Sequence, residues 1–170
     1  TVLIGLPRPQ TAKKVLHDLA SLGAARIIFF ESEKGDPGYL TSSLWKDGEW
    51  REHVVKGTEQ ACSTLVPEVT RVTSLTEAVA LIDGAAWKLA LDPYEATGAP
   101  ELSAAAHAAV LAIGPERGFA EGERATLRQA GFAFAHLGDR ILRVEAAALV
   151  GGALMLAQLR AWTKHRPVRG

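Results

Sequence analysis

The chain has 170 residues, a mass of 18.1 kDa, and 48% hydrophobic and 22% charged residues. This composition excludes a disordered tail, a collagen-like repeat and a membrane protein, and the length predicts one domain over residues 1–170. Lys plus Arg is 19 and Asp plus Glu is 19, so the net charge of zero lacks the basic footprint of a self-sufficient nucleic-acid binder. The single cysteine, Cys62, excludes an internal disulfide and predicts a reducing, cytoplasmic location.

Apolar strand-like runs alternate with helix-like segments from the first residues onward. The strands are predicted at residues 2–6, 26–30, 68–72, 87–91, 110–113 and 132–137. The helices are predicted at residues 11–22, 44–64 with a break near Gly48, 74–81, 121–130 and 143–164, with one helical turn at 104–109. Alternation of this kind predicts an α/β fold with a mostly parallel sheet and helices on both of its faces.

Three loops that follow predicted strands have unusual compositions. They are Leu91-Asp92-Pro93, the glycine- and proline-containing run 113–119, and the run 136–143. Ligands of open α/β sheets bind beyond the carboxyl ends of the strands, and glycines such as Gly114 and Gly118 let the backbone approach a ligand closely. A single Gly-Pro loop is more commonly only a turn, so this loop alone decides nothing.

Several known fingerprints are absent from the sequence. There is no GxGxxG, no GxxxxGK[ST] and no GxSxG, which argues against the usual dinucleotide fold, a P-loop and a serine hydrolase. None of the five histidines stands at metal-ligand spacing from another histidine, cysteine or carboxylate, so no metal site is predicted.

Two linked motifs in the last third of the chain are more specific. Residues 111–119 read Leu-Ala-Ile-Gly-Pro-Glu-Arg-Gly-Phe, and after a short helix residues 137–147 read Leu-Gly-Asp-Arg-Ile-Leu-Arg-Val-Glu-Ala-Ala. Over residues 110–150 this order resembles the SPOUT methyltransferases, and within them the RsmE family of ribosomal RNA uracil-N3 methyltransferases. Glu59-Gln60 and Pro67-Glu68 resemble the same family more weakly.

The resemblance implies a C-terminal trefoil knot and S-adenosylmethionine as cofactor. It also implies small-subunit ribosomal RNA or the 30S particle as substrate, and a homodimer formed through the C-terminal helix, with no metal and no membrane. The resemblance further implies that the residues that bind the cofactor are Leu91, Asp92, Ile113, Gly114, Glu116, Gly118, Leu137, Gly138, Ile141 and Leu142.

The implied reaction is methylation of a uridine at N3, which requires loss of the N3 proton. Arg143 is expected to stabilise the anion that develops on the uracil oxygens. Glu116 or Glu145 is expected to orient Arg143 or to accept the proton.

The sequence departs from the family pattern at five positions near these motifs. Arg117 replaces a glycine, Ala120 a helix-capping serine, Val144 and Ala146 two threonines, and Ser63 an arginine. These losses leave two alternatives open. One is a catalytically weakened knot domain that binds S-adenosylmethionine or RNA in a structural role, and the other is a SPOUT enzyme with a different RNA target.

In the family, a small β-rich RNA-binding domain normally precedes the catalytic domain, whereas here the first strand is predicted from Val2. We therefore expect that an upstream part has been removed. With a net charge of zero, this chain alone is expected to bind the cofactor well and RNA poorly.

Overall fold

Six strands form one all-parallel sheet in the computed structural model, which describes residues 1–82, 84, 86–96, 98–100 and 106–159. The strands are β1 (Val2–Gly5), β2 (Arg26–Phe30), β3 (Glu68–Val72), β4 (Trp87–Leu91), β5 (Ala109–Ile113) and β6 (Ala133–Ala135). Their spatial order is β3-β2-β1-β5-β4-β6, so that β1 pairs with β5, with Val2 opposite Leu111. The prediction of a parallel α/β sheet is confirmed.

The helices fall close to their predicted positions. They are α1 (Pro9–Leu22), α2 (Ser43–Lys46), α3 (Trp50–Gln60), α4 (Leu75–Ala80), α5 (Glu121–Gln129) and α6 (Val144–Gln158), with a 3₁₀ turn at Pro37–Thr41. The predicted break near Gly48 is confirmed, since it separates α2 from α3. Ser74 caps α4 by accepting the N–H of Glu77 at 3.2 Å.

Helices cover both faces of the sheet, as predicted. Successive side chains of a strand point to opposite faces, and in β1 Val2 and Ile4 belong to one buried cluster while Leu3 belongs to the other. The first cluster includes residues of α1, α2, α3 and α6, and the second includes residues of α4 and α5. Buried strands with apolar residues on both sides are what an all-parallel sheet requires.

Several predicted boundaries differ from the structure, and the helical region predicted at 44–64 ends at Gln60. The last strand is shorter than predicted because the N–H of Phe132 closes the end of α5 and that of His136 bonds to the Gly98 carbonyl instead of the ladder. The prediction of a helical turn at 104–109 is wrong for its last residues, because 106–108 is irregular and Ala109 begins β5. Residues 104 and 105 lie outside the described residues. Helix α6 extends to Gln158. Residues 160–164 of the helix predicted at 143–164 lie outside the described residues.

Helix α6 packs very closely on the sheet and on α1. A Cβ atom added at Gly151 would lie 2.7 Å from Leu91 Cδ1, and one at Gly152 would lie 2.8 Å from Leu22 Cδ2. The two glycines therefore set the distance between α6 and its neighbours. No helix in the described ranges combines the length and hydropathy needed to cross a bilayer.

Candidate functional site

The loops after β1, β5, β4 and β6 meet at one edge of the sheet, because these four strands are adjacent and parallel. Together with the start of α6 they enclose a cleft of about 470 Å³. A cleft at the carboxyl ends of parallel strands is the usual ligand site of such sheets, and this volume suits a small organic molecule.

The loop between β5 and α5 is folded so tightly that only glycine fits at one point. A Cβ atom at Gly114 would lie 2.8 Å from the backbone nitrogen of Phe119. The N–H of Gly118 donates to the carbonyl of Pro115 at 2.8 Å, and Gly118 itself has a φ of +68°. The loop consequently presents backbone, with little side-chain bulk, to the cleft.

A buried carboxylate holds this loop in place. Glu123 is 4% exposed, and its two oxygens accept the N–H of Ala120 at 2.7 Å and the N–H of Glu33 at 3.2 Å. The ammonium of Lys34 donates to the carbonyl of Phe119 at 2.8 Å. The carboxylate therefore satisfies the N–H of Ala120 at the start of α5, where Ala120 itself has no capping oxygen.

Asp92 follows β4 and is buried beneath the cleft wall. One of its oxygens accepts from Arg124 Nε at 2.7 Å and the other from the Tyr94 N–H at 2.9 Å. The hydrogen bond from Arg124 raises the pKa of that guanidinium above its usual value. Both carboxylate oxygens thus accept hydrogen bonds within the protein, and Asp92 thereby stabilises the loop after β4.

The loop after β6 contributes an apolar wall. Gly138 has a φ of +94°, and its N–H donates to Nδ1 of His136 at 3.1 Å. Ile141 is 75% exposed and Leu142 is 38% exposed, although both line the cleft. Exposed apolar side chains beside a cleft are typical of a surface that a ligand covers.

The charged residues of the cleft are paired differently from the prediction. Glu116 accepts the N–H of Arg8 at 3.1 Å, and Glu145 lies 3.6 Å from the ammonium of Lys14. Arg143 is the N-cap residue of α6, and in the described part of the chain it forms an ion pair with neither carboxylate. In the described residues, no ion pair therefore supports the expectation that Glu116 or Glu145 orients Arg143.

Residues 1–156 match the profile of a family described as the RNA methyltransferase domain. The chain belongs to this family. The resemblance to SPOUT methyltransferases of the RsmE type is thereby confirmed at the level of the family.

Two curated relatives agree with this assignment of the methyltransferase domain. The ribosomal RNA small subunit methyltransferase E 1 of Borreliella burgdorferi is 29% identical over 93% of this chain and 67% of its own length. The ribosomal RNA small subunit methyltransferase E of Treponema pallidum is 35% identical over 99% of this chain and 66% of its own length. The chain thus spans about two thirds of the length of these relatives.

A solved structure shows the same fold with a ligand. The ribosomal RNA small subunit methyltransferase E of Neisseria gonorrhoeae, bound to S-adenosyl methionine, superposes with a TM-score of 0.81 at 26% identity. The alignment covers 92% of this chain and 64% of that protein. An RNA 2′-O ribose methyltransferase, at 16% identity and a TM-score of 0.63, shares the fold alone.

The residues selected from the motifs all line this one cleft of the methyltransferase domain. They come from the ends of β4 and β5, the loop after β6 and the start of α6, and are Leu91, Asp92, Ile113, Gly114, Glu116, Gly118, Leu137, Gly138, Ile141, Leu142, Arg143 and Glu145. Their roles in binding and catalysis stay predictions. Among the described residues, no group of three or more His, Cys, Asp or Glu could hold a metal ion.

Arg8, Thr11 and Arg140 also line the cleft, and none of the three was predicted from the sequence as a site residue. The run Pro7-Arg8-Pro9 follows β1. In the sequence it indicated only that a strand ends there, because the strand that pairs with β1 was not known. The pairing of β1 with β5 brings Arg8 to the cleft, where Arg8 Nε lies 3.8 Å from Glu116. Arg140 lies in the third loop, and its positive charge was the feature of the sequence that could have indicated a site residue.

Proposed function

We propose that this domain is an S-adenosylmethionine-dependent methyltransferase that acts on small-subunit ribosomal RNA. The observation that carries the proposal is the convergence of all twelve motif residues on one cleft. The relatives named ribosomal RNA small subunit methyltransferase E, and the fold shared with the S-adenosyl methionine complex, support it. An enzyme of this kind would work in the cytoplasm, where ribosomes are assembled.

The cleft has the shape and chemistry that the cofactor requires. Its volume of about 470 Å³ lies within the range of small-molecule sites, and Leu91, Ile113 and Leu142 provide apolar walls. The backbone at Gly114 and Gly138 would hold the polar groups of the cofactor, which supplies an activated methyl group when bound.

Arg143 is our choice for the residue that acts on the substrate. It lines the cleft at the start of α6, and among the described residues its guanidinium has no carboxylate partner. It would stabilise negative charge on O2 or O4 of a uracil as the N3 proton leaves, so the finer proposal is methylation at uridine N3. Glu116, whose side chain is 36% exposed, would accept that proton.

A second candidate is a binding domain with weakened catalysis, and the pairing of the cleft carboxylates favours it. Glu116 and Glu145 already contact Arg8 and Lys14, and Val144 and Ala146 carry no hydroxyl beside the proposed reaction centre.

We also propose the trefoil knot and the homodimer that the resemblance implies. The β4–β5 connection supports the knot, because Gly98 accepts from the N–H of His136 and Pro100 accepts from Gln158 at the end of α6. Exposed apolar side chains of α6, such as Val150 and Leu154, support the dimer.

Calorimetry with S-adenosylmethionine, followed by transfer of a tritiated methyl group to undermodified 30S particles, tests the proposed function. Binding with transfer is the expected result, and mapping the modified base tests the N3 assignment. Binding without transfer would favour the second candidate, and absence of cofactor binding would contradict the proposed methyltransferase.

A further inference from the structure

A second cavity lies at the opposite edge of the sheet from β6, beside the edge strand β3. This groove of about 510 Å³ is formed by the α2–α3 region and the outer side of β3, and its chief side chains are Trp45, Lys46, Trp50, Arg51, Thr70 and Arg71. It shares no residue with the cleft.

Aromatic rings and guanidinium groups alternate in this groove. The Arg51 guanidinium lies 4.6 Å from the ring centre of Trp50, and that of Arg71 lies 5.3 Å from the ring of Trp45. Trp45 is 3% exposed, and its indole nitrogen is a buried donor with no acceptor among the described residues. Buried polar atoms are normally satisfied, so this donor is unusual.

The distribution of unpaired cations singles out the groove. Of the fifteen lysines and arginines in the described part of the chain, seven lie within 4 Å of a carboxylate, and Lys34 and Lys88 donate to backbone carbonyls. The cations without either kind of partner occur in only two places there, namely the cleft, with Arg117, Arg140 and Arg143, and the groove, with Lys46, Arg51 and Arg71. The groove contains a single carboxylate, Asp47.

We propose that this groove binds a single-stranded segment of the substrate RNA, with its phosphates on Lys46, Arg51 and Arg71 and a base stacked on Trp50, where it replaces the Arg51 guanidinium that covers the ring. The identity of the partner rests on the proposed function, since an RNA methyltransferase must hold RNA beyond the reacting base. Cationic grooves with aromatic rings bind single strands in this way, because phosphates neutralise the cations and every base offers a flat face for stacking.

The position of the groove suits an RNA that also reaches the cleft. In the sheet, β3 and β5 are separated by β2 and β1, which places them about 14 Å apart at the usual spacing of about 4.8 Å between strands. The groove would therefore hold RNA flanking the target and leave the target base to the cleft.

A paired comparison of surface variants tests the groove. Arg51→Ala/Arg71→Ala removes two unpaired cations of the groove, and Lys56→Ala/Arg128→Ala removes two exposed cations that contact carboxylates elsewhere. The affinity for a labelled single-stranded ribosomal RNA fragment of about twelve nucleotides is measured by fluorescence anisotropy without cofactor, at several salt concentrations.

We expect Arg51→Ala/Arg71→Ala to weaken RNA binding about tenfold or more and to lower the salt slope by about 1.4, while the control pair binds as the wild type does. Equal affinities of the two double variants would overturn the proposal, as would absence of RNA binding by the wild type at about 50 mM KCl. Cofactor binding is measured separately, so failure of the proposed function and failure of the groove give different results.

Tryptophan fluorescence tests the stacked base. We expect RNA to quench the emission of the wild type and of Trp87→Phe, and most of that quenching to be absent from Trp50→Phe. Full quenching in Trp50→Phe would show that no base stacks on this ring.

Discussion

At the scale of single residues, a substitution at Arg143 should affect catalysis without affecting cofactor binding. Because its guanidinium is proposed to act on the substrate, Arg143→Ala should lower methyl transfer by about a hundredfold or more and leave the affinity for S-adenosylmethionine within about threefold of wild type. Transfer of a tritiated methyl group and calorimetry measure the two effects. Arg128→Ala, on the outer side of α5, is the control. Normal transfer by Arg143→Ala would show that the assigned role is wrong.

At Gly114, the lack of space for a side chain should by itself determine the affinity for the cofactor. A Cβ atom there would meet the Phe119 backbone nitrogen at 2.8 Å, so Gly114→Ala must displace the loop. Overpacking of this kind costs about 1–3 kcal/mol, which predicts cofactor binding weakened roughly tenfold to a hundredfold. Gly84→Ala is the matched control, because a Cβ atom at Gly84 meets nothing within 4 Å. Equal affinities of the two variants would contradict the tight-loop argument.

The carboxylate of Glu123 forms two hydrogen bonds that hold the end of the same loop. Glu123→Ala leaves the N–H groups of Ala120 and Glu33 without their acceptor, and we expect it to lower the free energy of unfolding by about 3 kcal/mol. Glu121→Ala removes an exposed carboxylate of the same helix and should change stability by less than about 0.5 kcal/mol. Urea unfolding followed by circular dichroism compares them, and a Glu123→Ala protein as stable as Glu121→Ala would refute the prediction.

At the scale of elements, α6 has more apolar surface than its own domain buries. Val150 and Leu154 are four residues apart on one face and are 42% and 39% exposed. If this face forms the proposed dimer, Val150→Glu/Leu154→Glu should sediment as a monomer at micromolar concentration. Val55→Glu changes an equally exposed valine on α3 and should leave the wild-type sedimentation unchanged. Identical sedimentation of both variants and the wild type would argue against this interface.

The elements themselves were largely predictable from the sequence, because strands such as Arg26–Phe30 and helices such as Pro9–Leu22 follow from local apolar periodicity. The motif residues of the cleft were also predictable, since Gly114 and Gly138 lie in loops that follow strands. Arg8 and the groove were not, because both depend on which strands become neighbours and which strand becomes an edge. That information is absent from local patterns.

At the scale of the whole molecule, the cations that remain unpaired should govern RNA binding. Five of them, all except Arg143, contacting phosphates would give a salt slope of about −3.5, so raising KCl from about 50 to about 200 mM should weaken RNA binding by about two orders of magnitude. Cofactor binding, which we propose to depend mainly on backbone and apolar contacts, should change by less than about threefold. Filter binding and calorimetry at each salt concentration provide the test. An RNA slope shallower than about −1 would contradict the prediction.

A net charge of zero is therefore a poor guide to this surface. Acidic residues neutralise many of the cations locally, as Glu52 does Lys56, and the sum conceals six cations in the cleft and the groove that contact no carboxylate in the described ranges. The expectation that this chain binds RNA poorly, drawn from the total charge, stays a prediction that the same titrations measure.

The pairing of β1 with β5 has a consequence for the time at which the cleft forms. During synthesis, β1, β2 and β3 emerge early and can pair, yet one edge of β1 stays open until β5 has been made. Ribosomes add about 5–20 residues per second, so this edge waits on the order of ten seconds. The cleft loops after β5 and β6 and the helix α6 come later still. The ligand site is thus the last part of the domain to assemble, and ligand binding would report that folding of the domain is complete.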